Sequence, residues 1–564
     1  MLFNIIDTLT IFLLINLIVF SYIGYGIILF KITNNKFINL NIGYIGIAGC
    51  FLLIFVSYLT SFFTPHNSLH NIIVILLGTA FFLINFNSFQ KKNLKFLILF
   101  IILTFSFFLI SKTHDDFGYY HLPYALNLSE NKIQFGLGNL NYAFRHHSSI
   151  LFLNSLTFLP GIKYYLFNLP SYLIYIFVNL ILIAEIIKKN NSNLIKIFSI
   201  FFIILINIKF VRLAEYGTDL AGQLVLVILF LNIVKFFLNK KIDNSDLFLI
   251  FLILVLLASF KVYFILYFSI FFVIIYFIIK DYKNIFKFIN IRIFTIFFIF
   301  LFLISLHNFV STGCLVYPVT NLCVGEYFDW SLKYNDIERL KTWLHLWSKA
   351  GAGPDYKVDN IDHYISGLNW VPNWMDKYFF NKMSDYLLTL LFVFFIIFFL
   401  FKKIFTKHIA KRKNYNKISF LILIFSFSFV VFWFFNHPSL RYGGYIPIAI
   451  CFFSIISIFI KEGNFNNKLN KKMMYCIIFA FFVFNLKNLN RIHFEFNRTD
   501  QFNFNNFPYF FVPEKEFDPI YDEKKIYLNI AKHHCWAVPS PCSNTIYGIE
   551  KNGGFIFFKR LDKK

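Results

Sequence analysis

The chain has 564 residues, of which 58% are hydrophobic and 22% aromatic, with 84 Phe, far above the apolar content of a soluble domain. Its formal net charge of +24 is not a nucleic-acid footprint, because the basic residues stand in short clusters between apolar runs, as they do in cytoplasmic loops. Composition therefore excludes a soluble fold and a nucleic-acid partner, and predicts an all-α polytopic membrane protein.

Apolar runs begin near Leu9, Leu40, Ser68, Leu94, Tyr164, Leu194, Leu220, Leu247, Val262, Ile291, Tyr386, Ile418, Tyr445 and Met473, about 13 to 14 transmembrane helices if each needs about twenty residues. The run from Ser148 to Leu159 is too short. Lys31 and Lys36 follow the first run with no small-residue cleavage site, so it reads as a span and not a cleaved leader. Lys-rich connections, among them Lys188 and Lys189, Lys240 and Lys241, Lys402 to Lys417, and Lys461 to Lys472, belong on the cytoplasmic side. The alternate connections, with the N-terminus and the C-terminal segment, then face outward. This gives a transmembrane domain over 1–489, with outer loops at about 112–147 and 307–385, and a small non-cytoplasmic C-terminal domain over 490–564.

Cysteine usage tests that topology. Cys50, Cys451 and Cys476 lie inside apolar runs, whereas Cys314, Cys323, Cys535 and Cys542 fall in outward segments as two close pairs. Disulfides persist in oxidising compartments, so Cys314 with Cys323 and Cys535 with Cys542 read as two staples. Between them, YNDIERLKTWLHLWSKAG places Ile337, Leu340, Trp343, Leu344 and Trp347 at helical spacing, an amphipathic helix suited to a membrane interface.

Ionisable residues at the outer ends of spans carry the functional signal, because charges at membrane depth are costly and usually functional. The first outer loop holds His114, Asp115, Asp116, Tyr119, Tyr120 and His121, then Arg145, His146 and His147. A helix from Asp115 would put Asp116, Tyr119, Tyr120 and Pro123 on one face. Arg212, Glu215 and Asp219 follow at another outward end, Lys261 stands alone between two apolar runs, and Arg441 opens RYGGYIP. An Arg fork suits phosphate. A helix cap competes for Asp115, Asp116 or Asp219, and a headgroup contact competes for Lys261 and Arg441. The pattern suits an anionic, lipid-linked substrate. Walker, dinucleotide, HExxH and CxxC motifs are absent, so no nucleotide or redox cofactor is expected.

In order and placement these segments resemble the GT-C fold of integral-membrane glycosyltransferases that use a polyprenyl-phosphate sugar. Asp115, Asp116 and Tyr119 match an acidic motif of the first outer loop. Arg145, His146, His147 and Ser148 match the segment before the next span, LLASFK the Lys-bearing hairpin at Lys261, and Arg441 to Pro447 the late Arg-Tyr segment. The C-terminal CWAVPSPCS departs from that pattern and is similar to a largely uncharacterised group of bacterial envelope membrane proteins.

The resemblance, which runs to about Lys487, implies an inverting transfer of sugar from polyprenyl phosphate to a glycan, lipid or protein acceptor on the outer face of a bacterial inner membrane, within cell-envelope polysaccharide biosynthesis. Asp115, which begins the motif, is the expected base, with Asp116 beside it. Lys261 and Arg441 would hold the leaving phosphate, while His114, Tyr119, His121, Arg145, His146, His147, Glu215 and Asp219 would bind substrate. A divalent cation on Asp115 and Asp116 is compatible with these residue types. A polysaccharide polymerase or ligase is the nearest alternative enzyme. A transporter or lipid flippase is the alternative of another class, and would place charges in mid-span.

Overall fold

The structure is a computed structural model that describes residues 5–37, 40–109, 116–210, 218–238, 244–282, 291–353, 355–405, 413–461, 463, 467–498, 502, 507–522, 525–545 and 548–559. Each apolar run named above is helical, but 10 of the described helices, not 13 or 14, are long and apolar enough to cross a membrane. The runs at Ser68, Leu94, Leu194 and Leu247 form the shorter helices Ser68–Ile84, Lys91–Leu103, Asn193–Lys209 and Asn244–Phe260. Polar residues cut two of them short: Asn67 caps the first by accepting from His70 N, and Ser192 caps the third by accepting from Ile195 N. A 17-residue helix spans about 25 Å, less than the roughly 30 Å of a hydrocarbon core.

Helices Leu169–Ile187 and Thr218–Leu238 form the centre, with 89% and 83% of their most apolar windows buried. Spans Val262–Ile279, Ile291–Thr312, Val371–Ile404 and Ile418–Asn436 ring them and turn Phe272, Phe298, Phe399 and Phe427 outward. Apolar surface on that scale belongs against lipid. At the N-terminal edge, Ile5–Ile32 packs against Ile42–Thr60 backbone to backbone. Gly49 lies directly on the Tyr22 carbonyl, where a Cβ has no room.

The connections gather at two ends. At one end Phe135 pairs with Phe557, Lys559 with Asp329, and Arg145 reaches the Asp336 carbonyl. At the other, Asn193 bonds to the carbonyls of Lys461 and Gly463, and Lys461 N to that of Ile404. The loops expected outside thus share an end, opposite several of the Lys-rich ones. Both cystines form, Cys314–Cys323 and Cys535–Cys542. The amphipathic stretch is the helix Tyr334–Ser348, with Ile337 buried, Trp343 exposed, and the Trp343 and Trp347 rings stacked 5.1 Å apart.

The last helix, Asn467–Arg498, carries through the expected boundary at 490 because no Gly or Pro interrupts it. Beyond it, β1 (Phe517–Asp522) pairs antiparallel with β2 (Lys525–Ala531), and β3 (Cys542–Ser543) lies parallel to β2. A hairpin of β4 (Gly548–Asn552) and β5 (Phe555–Lys559) follows, and its edge is taken by Phe135.

Candidate functional site

Asp116 opens a single π turn, Phe117–His121, in which Leu122 N donates to the Phe117 carbonyl. The expected α-helical face is therefore not formed: a turn closed i to i+5 carries one residue more and brings Tyr120 and His121 round toward Asp116. Tyr119 turns away, its ring 5.0 Å from His534 of the C-terminal segment. His114 and Asp115 lie outside the described residues, as do Arg212 and Glu215.

Asp219 is the second residue of Thr218–Leu238, at the positive end of that helix. Lys261 is a single extended residue between Asn244–Phe260 and the 3-10 turns Val262–Phe268. Arg441 lies in a kinked turn, Leu440–Gly444, in which Tyr442 and Gly443 leave the helical conformation, and Gly443, at φ +84, abuts the Tyr263 ring. That turn is held on several sides. Tyr378, in a second π segment (Met375–Met383), accepts from Leu440 N at 2.6 Å, and Trp433 Nε1 and Trp374 Nε1 donate to the Ser439 and Pro438 carbonyls. Gln223 Nε2 donates to the Leu440 carbonyl at 3.3 Å. Such π segments are rare and recur at functional sites.

Four charges, from residues far apart in sequence, meet there. Arg441 Nη2 lies 3.1 Å from Asp116 Oδ2, and Arg441 Nε lies 3.4 Å from Asp219 Oδ2. Lys261 Nζ lies 3.2 Å from Asp219 Oδ1. One carboxylate thus bridges two cations, which is how partly buried charges are kept paired. His121 sits among these four, 5% exposed, with neither ring nitrogen hydrogen-bonded. Burial pushes its imidazole down to about 3, with Lys261 and Arg441 acting in the same direction against Asp116 and Asp219, so it is neutral at physiological pH.

Lys261 and His146 also border a cavity of about 280 Å³. His147 and Tyr317 line it too, and Val262, Ile265, Phe268, Leu301 and Ile304 supply a largely apolar wall in which Ser305 and Asn308 are also set. His147 is tied to the Tyr58 hydroxyl at 2.7 Å. Arg145 is not part of the charged cluster: it is buried, donates to the Gly138 carbonyl at 3.0 Å, and lies over the Tyr142 ring. Tyr120, which the sequence marked, stands at the site, and Tyr263, Tyr317, Tyr378 and Gln223 surround it without having been singled out in the sequence. Only Tyr263 carried a signal, standing two residues from Lys261.

Among the described residues no three His, Cys, Asp or Glu side chains converge as a metal site. Asp116 and Asp219 each face a cation, and the pair expected to hold a divalent cation, Asp115 and Asp116, includes Asp115, which lies outside the described residues. A family model described as "Domain of unknown function (DUF8201)" matches residues 9–446. No curated protein and no solved structure matches the chain.

Proposed function

The chain belongs to the DUF8201 family, and we propose that it is a membrane glycosyltransferase that moves a sugar from a polyprenyl-phosphate donor to an envelope glycan, lipid or protein acceptor. The observation that carries this reading is the pairing of Lys261 and Arg441 through Asp219 beside a cavity lined by both polar and apolar side chains. Two cations suit a phosphate, and the apolar wall suits the hydrocarbon attached to it. Asp219 and Arg441 are each the second residue of their segment, whereas a transporter would place such charges in mid-span.

In this reading the acceptor oxygen attacks the anomeric carbon, the carbon–oxygen bond to phosphate breaks, and the electron pair leaves with the phosphate. Lys261 and Arg441 stabilise the charge that develops there. The acceptor proton passes to a carboxylate of the first outer loop, for which Asp116 stands at the site. In the resting state both cations are matched by carboxylates, so an arriving phosphate exchanges one anion for another and uncovers Asp116 as it engages Arg441. No step is routed through a divalent cation.

The test is transfer from a polyprenyl-phosphate sugar by the reconstituted full chain, with an envelope extract as acceptor. Asp116→Asn should abolish transfer with the fold intact. Lys261→Ala and Arg441→Ala should each weaken donor use by about 1.5 to 3 kcal/mol, the worth of one charge-assisted hydrogen bond. Full activity of the double variant Asp115→Asn, Asp116→Asn would exclude the carboxylate mechanism and favour a polymerase, ligase or flippase.

A further inference from the structure

The π turn that carries Tyr120 and His121 ends at His121, and Pro123 follows in the first turn of Leu122–Glu130. Leu122 N is taken by the Phe117 carbonyl and Pro123 has no N–H, so the carbonyls of Gly118 and Tyr119 lack the donors that a regular helix would supply. Buried carbonyls need partners, and here both come from elsewhere in the chain. Asn141 Nδ2 donates to the Tyr119 carbonyl at 3.0 Å. Trp536 N donates to the Gly118 carbonyl, also at 3.0 Å.

Trp536 follows the first cysteine of the loop closed by Cys535–Cys542. Its φ is +49, a left-handed conformation that a bulky residue keeps only where its surroundings hold it. Its indole lies flush on Gly118, where no Cβ fits, and edge-on to Phe117 at 5.9 Å. The same loop grips the helix Leu122–Glu130 at its far end, where Ser540 N donates to Glu130 Oε2 at 2.6 Å. Trp536 and Ser540 lie outside the matched region 9–446, and neither is part of the charged cluster.

We propose that Trp536 is a positioning residue, presented by the Cys535–Cys542 loop, that holds the π turn and thereby sets where Asp116 and His121 stand. The hold on the turn is independent of the reaction, whereas the positioning role rests on the glycosyl-transfer reading.

The experiment uses the full chain in lipid nanodiscs, as wild type, Trp536→Phe, Trp536→Ala and the double variant Cys535→Ser, Cys542→Ser. Amide hydrogen exchange is followed over 116–121 and over the control helix Leu169–Ile187, and sugar transfer is measured on the same samples. Trp536→Ala and the cysteine variant should raise exchange over 116–121 by at least about tenfold with the control unchanged. They should lower kcat by at least about tenfold with donor KM within about twofold, while Trp536→Phe stays close to wild type. Unchanged exchange over 116–121 in Trp536→Ala overturns the proposal. So does a rise of equal size in both segments, which would mean general loosening. If even wild type transfers no sugar while exchange follows the expected pattern, the transferase reading fails and the hold on the turn stands.

Discussion

Asp219 divides one carboxylate between two cations, Oδ1 to Lys261 and Oδ2 to Arg441, so its removal leaves Lys261 with no carboxylate in this cluster. Breaking a dry pair costs about 3 to 5 kcal/mol; with Arg441 39% exposed, the lower end applies. Asp219→Asn should therefore lower the thermal midpoint in detergent. The double variant Asp219→Asn, Lys261→Met should recover part of that loss without recovering activity. An unchanged midpoint for Asp219→Asn would mean that the bridge carries no stability. The sequence marked Asp116, Asp219, Lys261 and Arg441 because isolated charges at span ends are conspicuous against an apolar background. Their pairing was not legible, since Asp116 and Arg441 are 325 residues apart and only the packing of whole helices brings them together. Arg145 was equally conspicuous, yet it joins loop backbones, a use that residue type alone does not distinguish from phosphate binding.

Helix positions were readable from apolar runs, but helix lengths were not, because a run counts apolar residues in caps and turns that have left the helix. Tyr164 starts such a run, while the helix begins at Leu169. The two π segments left no trace in composition: Asp116, Tyr119 and Tyr120 fit an α face equally well on paper, and the extra residue in the turn is decided by Pro123 and by tertiary contacts. Close helix packing is a more local matter. Gly49→Val should separate Ile42–Thr60 from Ile5–Ile32, since the new side chain meets the Tyr22 carbonyl and Gly26 N. Overpacking of that kind costs about 1 to 3 kcal/mol. A shift in the denaturant midpoint of the purified protein measures it, and no shift would show that the helices part freely there.

At the scale of the whole molecule, the loops that gather at the site end should lie on one side of the membrane. Cysteines placed at Tyr327 and Glu516, 82% and 92% exposed, should react with an impermeant maleimide on intact cells. One placed at Lys189, exposed at the opposite end, should react only after permeabilisation. Labelling of Lys189→Cys together with Tyr327→Cys on intact cells would break the two-ended arrangement. The alternation of Lys-rich and Lys-poor loops made this side-by-side grouping legible in the sequence. The grip of the C-terminal segment on the first loop was not, because Trp536 on Gly118 and Phe557 on Phe135 depend on backbone groups that carry no side-chain signature.

The span of 325 residues between Asp116 and Arg441 is also an interval of time. A ribosome that adds roughly 5 to 20 residues per second needs roughly 16 to 65 s to travel from one to the other. Throughout that interval the nascent chain holds Asp116 without its Arg441 guanidinium, and once residue 261 has been made it holds Asp219 with Lys261 but still without Arg441. The early helices must therefore tolerate an excess of carboxylate at the future site, kept wet or protonated until the late helix arrives. Trp536 leaves the ribosome later still, so a segment made after the whole charged cluster closes over the turn that carries Asp116.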